Sequence, residues 1–109
     1  MVTTGRTSLL FKGETAASGD IVNVQLAGDR PGTVQCDFDE YATKGFKMEI
    51  QGRINSGMNW TILLVIDETD IDENGSMAAS VRLMPQMRAE VVSVTNSPST
   101  DGIEAWLVE

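Results

Sequence analysis

Residues 45–67 read GFKMEIQGRINSGMNWTILLVID, and their pattern decides the fold class. Phe46, Met48, Ile50 and Ile54 fall on one parity, and Lys47, Glu49, Gln51 and Arg53 on the other. Alternation every second residue is the signature of a strand with one face buried and one face wet. Asn55, Ser56 and Gly57 come next, and Asn and Gly both accept the positive φ that a tight turn demands. The chain is therefore expected to turn back here. On the return, Trp60, Ile62, Leu64 and Ile66 share a parity, while the other parity passes from Asn59 and Thr61 to Leu63 and Val65. That change predicts a far end covered on both faces. The whole stretch reads as a long antiparallel hairpin at the centre of an all-β domain.

Upstream, the first seven residues are polar and read as a flexible N-terminal arm. Leu9, Leu10 and Phe11 make a short apolar element, and residues 13–20 are a loop by composition. Val22, Val24 and Leu26 alternate with Asn23 and Gln25, which predicts a strand over residues 21–26. Residues 27–32 are dense in turn formers. Val34, Cys36 and Phe38 then alternate inward against Gln35, Asp37 and Asp39. Downstream of the hairpin, residues 67–73 hold five carboxylates and must be solvated. Val81 and Leu83 share a parity opposite Arg82, and Pro85 stops that element because proline cannot donate to a sheet ladder. A short helix is the alternative for residues 76–84, where Ala78 and Ala79 sit together. Residues 87–95 are rich in valine and read as a strand. After a loop at residues 96–102, Ile103, Ala105 and Leu107 alternate with Glu104, Trp106 and Val108. The spacing of turn signals predicts a single antiparallel β domain over residues 8–109, a sandwich or small barrel of about seven to eight strands of jelly-roll, Ig-like or tulip-like kind.

The composition narrows the function. The chain has 109 residues, enough for one domain with an ordinary core at 41% hydrophobic residues. Its formal charge of -8 argues against nucleic acid or an anionic membrane as partner, since both need a positive face. The first residues have no apolar segment behind a basic start, so a soluble protein made in a cytoplasm is expected. With one cysteine there is no intrachain disulfide, and Cys36, alternating with Val34 and Phe38, reads as a small buried hydrophobe. There is no histidine, which removes the commonest general base and the usual Ser/His and Cys/His arrangements. Asp37, Asp39 and Glu40 lie close together, but Asp37 and Asp39 share an outward strand parity, where carboxylates keep a surface wet. The chain is read as a non-enzyme without a cofactor.

Asp70, Asp72 and Asn74 followed by Gly75 match the opening of a calcium loop, with oxygen ligands at relative positions 1, 3 and 5 and glycine at 6. The match then fails. Position 12 falls on Val81, where a bidentate Glu is required, and position 9 falls on Ala78. These three residues are weak metal candidates in an acidic loop. Trp60, at strand parity, reads first as core and second as a platform for stacking a sugar. Trp106 and Val108 point outward if Ile103, Ala105 and Leu107 face the core. An outward Trp marks a contact surface, and the alternative is a last strand covered on both faces.

The strand Trp60-Thr-Ile-Leu-Leu-Val-Ile66, the loop with Asn74 and Gly75, the segment Val81-Arg-Leu-Met-Pro-Gln-Met-Arg-Ala-Glu-Val91 and the closing Gly102-Ile-Glu-Ala-Trp-Leu-Val-Glu109 resemble small virion proteins of tailed bacteriophages, of the type that decorates or cements the capsid. The resemblance covers residues 45–109 and carries no diagnostic motif. It implies a β-sandwich or β-tulip domain, often trimeric, that sits on the outer capsid surface and stabilises the shell against internal DNA pressure. The implied partners are the major capsid protein and further copies of the chain, and the implied site of synthesis is the host bacterial cytoplasm. On this reading the contact surface is Trp106 and Val108 together with Thr3, Thr4, Gly5 and Arg6 of the arm. Two other readings stay open. One is a carbohydrate- or receptor-binding module of a fibre or tail, with Trp60 or Tyr41 as platform and the carboxylates of residues 67–73 on calcium. The other is a head-to-tail connector component.

Overall fold

The computed structural model of the chain describes residues 7–13, 17–25, 31–38, 46–71, 75–93 and 103–109. In chain order the strands are β1 (Thr7–Gly13), β2 (Ala17–Ser18), β3 (Val22–Asn23), β4 (Pro31–Phe38), β5 (Lys47–Arg53), β6 (Thr61–Asp67), β7 (Ser76–Arg82), β8 (Gln86–Ser93) and β9 (Ile103–Val108). A 3₁₀ turn, Glu68–Asp70, follows β6. The first sheet runs β1-β9-β4-β7 and the second β2-β8-β5-β6. Every pairing is antiparallel.

The two shortest strands are two pieces of one edge. β2 pairs Ala17 with Val91 and Ser18 with Glu90, and β3 continues along β8 by pairing Val22 with Met87. With that edge counted once, the fold is an all-β sandwich of eight strands, as the alternation predicts. Of the strand foreseen over residues 21–26, Val22–Asn23 is the part that forms among the described residues, and Leu26 lies outside them. In residues 76–84, where a helix was the alternative, Ser76–Arg82 form β7 and Leu83 and Met84 lie past its end. Thr7 is the first residue of β1 and pairs with Val108, whereas Thr3, Thr4, Gly5 and Arg6 lie outside the described residues.

The core fills the space between the inner faces. Val34 and Cys36 from β4, Met48 and Ile50 from β5, Ile66 from β6, Met87 and Ala89 from β8, and Ile103, Ala105 and Leu107 from β9 are each fully buried. All obey strand parity. Among the described residues no buried side-chain nitrogen or oxygen lacks a partner, as a closed apolar core requires. Burial pushes the Cys36 thiol up to about 12, with the Asp37 charge adding to the effect, so the cysteine is the small inert hydrophobe its neighbours suggested.

Two bulges change which side chains face the core. The β5–β6 hairpin, expected at the centre of the domain, instead ends its sheet at β6; in it Ile50 pairs with Leu64 but Gln51 pairs with Ile62, so Leu63 is the extra residue. A Cβ on Gly52 would stand 2.7 Å from Leu63 Cδ1 and 2.9 Å from Met84 Sδ, so the space over that glycine is taken by their side chains. Leu63 and Leu64 both pack against the core, and parity beyond the bulge is reversed. The expectation that Ile62 shares a face with Leu64 and Ile66 is therefore wrong: Ile62 is 53% exposed. The far end of the strand is not covered on both faces either, because β6 is the edge of its sheet and Val65 is 45% exposed. Ile54, expected inward, lies past the end of β5 and is 58% exposed. The second bulge, in β1, makes Leu10 the extra residue between Leu9, opposite Trp106, and Phe11, opposite Ala105. Leu10 and Phe11 are both buried, and Leu9 is left outside.

The chain turns where expected, but without the positive φ foreseen at Asn55 and Gly57, since among the described residues only Gly75 has a positive φ. Asn55 accepts from the Gly57 backbone N–H through its side chain at 2.9 Å and from the Met58 N–H through its carbonyl at 3.1 Å.

Candidate functional site

β9 lies inside the first sheet, between β1 and β4, so its outward side chains occupy the middle of an outer face. Trp106 sits there, half-buried, with Leu9 of β1 on one side and Gln35 of β4 on the other. Val108 lies next along β9, flanked by Thr7 and Thr33. Leu9 and Val108 are both exposed, so Leu9, Trp106 and Val108 form a contiguous apolar patch rimmed by threonines and Gln35. Toward the opposite end of the strand the face turns polar, with Glu104 between Lys12 and Asp37.

The orientation of the indole is fixed from within the strand. Trp106 Nε1–H donates to Glu104 Oε1 at 2.6 Å, two residues back on the same face. With its one polar group satisfied, the ring can present apolar surface without stranding a donor, and an ordered aromatic loses little side-chain freedom on docking. Aromatic anchors inside a polar rim are the arrangement on which protein contacts concentrate their binding energy. Of the contact surface foreseen in the sequence, Trp106 and Val108 are thus brought together outside the core. Leu9 was missed because Leu9-Leu10-Phe11 reads as one apolar run, and only the bulge separates its first member from the rest.

The other sheet carries a second organised outer face. Trp60, expected in the core, lies with the outward row: the Arg53 guanidinium stands 4.1 Å and that of Arg88 4.4 Å from its ring centroid. The reversal of parity at Leu63 is the reason. Beneath these groups Gln51, only 6% exposed, is bonded at both ends of its amide. It accepts from Arg88 Nε at 2.7 Å and donates to Glu49 Oε1 at 2.9 Å and Glu90 Oε2 at 2.8 Å. Arg53 Nε donates to Gln86 Oε1 at 2.8 Å. The network ties β5 to β8.

Of the three metal candidates only Asp70 lies among the described residues. Asp70 Oδ2 accepts from the Asp67 backbone N–H at 2.9 Å, which closes a capping box around the 3₁₀ turn. Asp72 and Asn74 lie outside the described residues. Among the described residues no group of three or more His, Cys, Asp or Glu side chains could hold a metal ion. Asp67 is held below its ordinary 3.8 chiefly by the Thr69 hydroxyl, then by the Thr69 N–H, with Lys47 adding attraction. Asp37 is exposed on β4, while Asp39, Glu40 and Tyr41 lie outside the described residues. Among the described residues no helix is long and apolar enough to cross a membrane.

No family model matches the chain, and neither a curated protein nor a solved structure matches it.

Proposed function

We propose that the chain is a non-enzymatic structural protein that works by docking onto other protein surfaces. Its setting is the outer surface of a bacteriophage capsid, where it acts as an oligomeric decoration or cement protein bound to the major capsid protein. The observation that carries the docking role is the Leu9, Trp106 and Val108 patch, held at the centre of a sheet face with its indole already oriented. A patch of this kind on a scaffold whose strands are paired through both sheets suits repeated, rigid contacts with a lattice. The phage setting is supported by the resemblance of residues 45–109 to small virion proteins. The acidic balance of the chain suits crowded copies on a shell, since like charges keep them soluble.

The carbohydrate-binding alternative is disfavoured by the surroundings of Trp60. Two guanidinium groups stand over its ring, where a sugar would have to stack.

The test compares virus particles with and without the protein. Particles that lack it should carry tails yet break more readily under heat or osmotic shock, and purified protein added back should restore their resistance. Tailless particles would assign the chain to the connector instead, and intact, equally robust particles would remove it from the shell.

A further inference from the structure

Among the described residues nothing pairs with the outer side of β6, the seven-residue edge of the second sheet. The outward-turned N–H and C=O groups of such a strand are a template for another strand, and natural edges of this length are guarded by lysine, proline or inward charge. β6 has no lysine, proline or inward charge, and the guard it does carry is the bulge at Leu63. Residues 54–66 are thirteen consecutive residues without a charge or a proline, the longest uncharged stretch in a chain of net charge -8. Ile62 and Val65, turned to the outer face, are 53% and 45% exposed.

The two ends of this edge carry opposite charge. At its Trp60 end stand the guanidinium groups of Arg53 and Arg88, no farther apart than the sum of their 4.1 and 4.4 Å distances to the shared indole centroid. At the other end come Asp67, Glu68 and Asp70, the last two exposed on the 3₁₀ turn, three carboxylates against the single lysine, Lys47 of β5, that pairs opposite Asp67.

We propose that β6 is a homodimerisation edge, which pairs antiparallel with β6 of a second copy about a twofold axis and runs one sheet through both molecules. Antiparallel pairing sets the Thr61 end of each strand beside the Asp67 end of the other. The arginines of each copy then meet the carboxylates of its mate, and the contact occurs twice. Parallel pairing would put carboxylates beside carboxylates. Two chains of like net charge repel at a distance, and an uncharged edge with one basic end is where they approach with least opposition. This contact lies on the opposite sheet from the Trp106 patch and stands whether or not that patch binds a capsid.

Sedimentation velocity on the full chain, over a concentration series up to about 1 mM, tests it. The wild-type chain should form a reversible dimer. Ile62→Lys and Val65→Lys, both at exposed positions, should each raise the dimer dissociation constant at least about tenfold while thermal unfolding stays where it was. Arg53→Glu and Glu68→Arg should each weaken self-association. An equimolar mixture of those two variants should associate more tightly than either alone, because both contacts in the mixed dimer then join opposite charges. Trp106→Ala should leave the dimer untouched. A chain that stays monomeric throughout, or an oligomer indifferent to the two lysine substitutions, would overturn the proposal. So would a dimer that gains nothing from mixing, since the antiparallel arrangement requires that gain.

Discussion

The Arg53 guanidinium stands 4.1 Å from the centroid of the Trp60 ring, on the outer face of the second sheet. The contact joins a residue near the end of β5 to one just before β6, across the connection of the β5–β6 hairpin. It exists because Leu63 is an extra residue in β6, which moves Trp60 from the inward row to the outward one.

Trp60→Ala should therefore behave as a surface change. Loss of the two arginine contacts and of partly buried ring area should lower the unfolding free energy by about 1–2 kcal/mol. A tryptophan truncated in a closed core loses about 3–5 kcal/mol. Urea unfolding separates the two, and a loss in the higher range would place Trp60 inside.

Gly52→Ala probes the bulge itself. The added methyl would meet Leu63 Cδ1 and the Met84 side chain at the distances of a clash, and both half-buried side chains must shift to make room. A loss of about 1–3 kcal/mol is expected in the same unfolding assay. Gly52→Ala combined with Leu63→Ala should lose less than the sum of the separate changes, because the second substitution vacates the space that the first one needs.

Cys36 should be silent toward thiol reagents in the folded protein and react once denaturant unfolds it, which a colorimetric thiol assay reads directly. Its folded pKa, about 12, lies above the ordinary 9.0, so the folded state holds the proton where the unfolded state has lost it. The contribution is fully present below pH 9.0 and falls as pH rises from there toward 12, by about 1.4 kcal/mol per pH unit. Cys36→Ala should flatten this alkaline loss.

Asp67 offers the opposite sign. Its carboxyl is held below 3.8, so the contribution of its hydrogen bonds is present above that pH and disappears as pH falls through the lowered value. Thr69→Ala removes the hydroxyl donor that Asp67 Oδ1 accepts at 2.6 Å. In a carboxyl NMR titration the Asp67 midpoint should then move up toward 3.8, and an unmoved midpoint would leave Lys47 and the backbone as its cause.

Much of this fold is legible in the sequence wherever strands run without interruption. β9 is the clearest case: Ile103, Ala105 and Leu107 are fully buried, Glu104 and Trp106 are half-buried and Val108 is exposed, as simple alternation demands. β4 reads equally well, β5 does so except at Gln51, which is on the outward row yet buried, and Asn55 and Gly57 mark the turn between β5 and β6. Facing after a bulge was not legible. An extra residue inverts every later side chain, and a run such as Ile62-Leu63-Leu64-Val65-Ile66 looks the same in either register. The one clue was the run itself, since five apolar residues in succession exceed what alternation needs. β2 and β3 escaped for another reason: at two residues each, their pairing with β8 is set by that strand and by the close approach of Gly19 to Leu10, and no periodicity can develop. The contact patch was half legible, with Trp106 and Val108 open to alternation and Leu9 hidden by the bulge at Leu10.

The most direct test of the docking role sets two measurements on Trp106→Ala side by side: unfolding free energy in urea, and co-sedimentation with capsids that lack the protein. Loss of an aromatic anchor at a contact should weaken shell binding by a few kcal/mol, while fold stability changes by about 1 kcal/mol or less. Wild-type chain that binds the shell saturably, with a variant that folds normally and binds poorly, is the expected result. Equal losses in folding and binding would make Trp106 a structural residue, and a wild-type chain that leaves the capsids bare would contradict the capsid role outright.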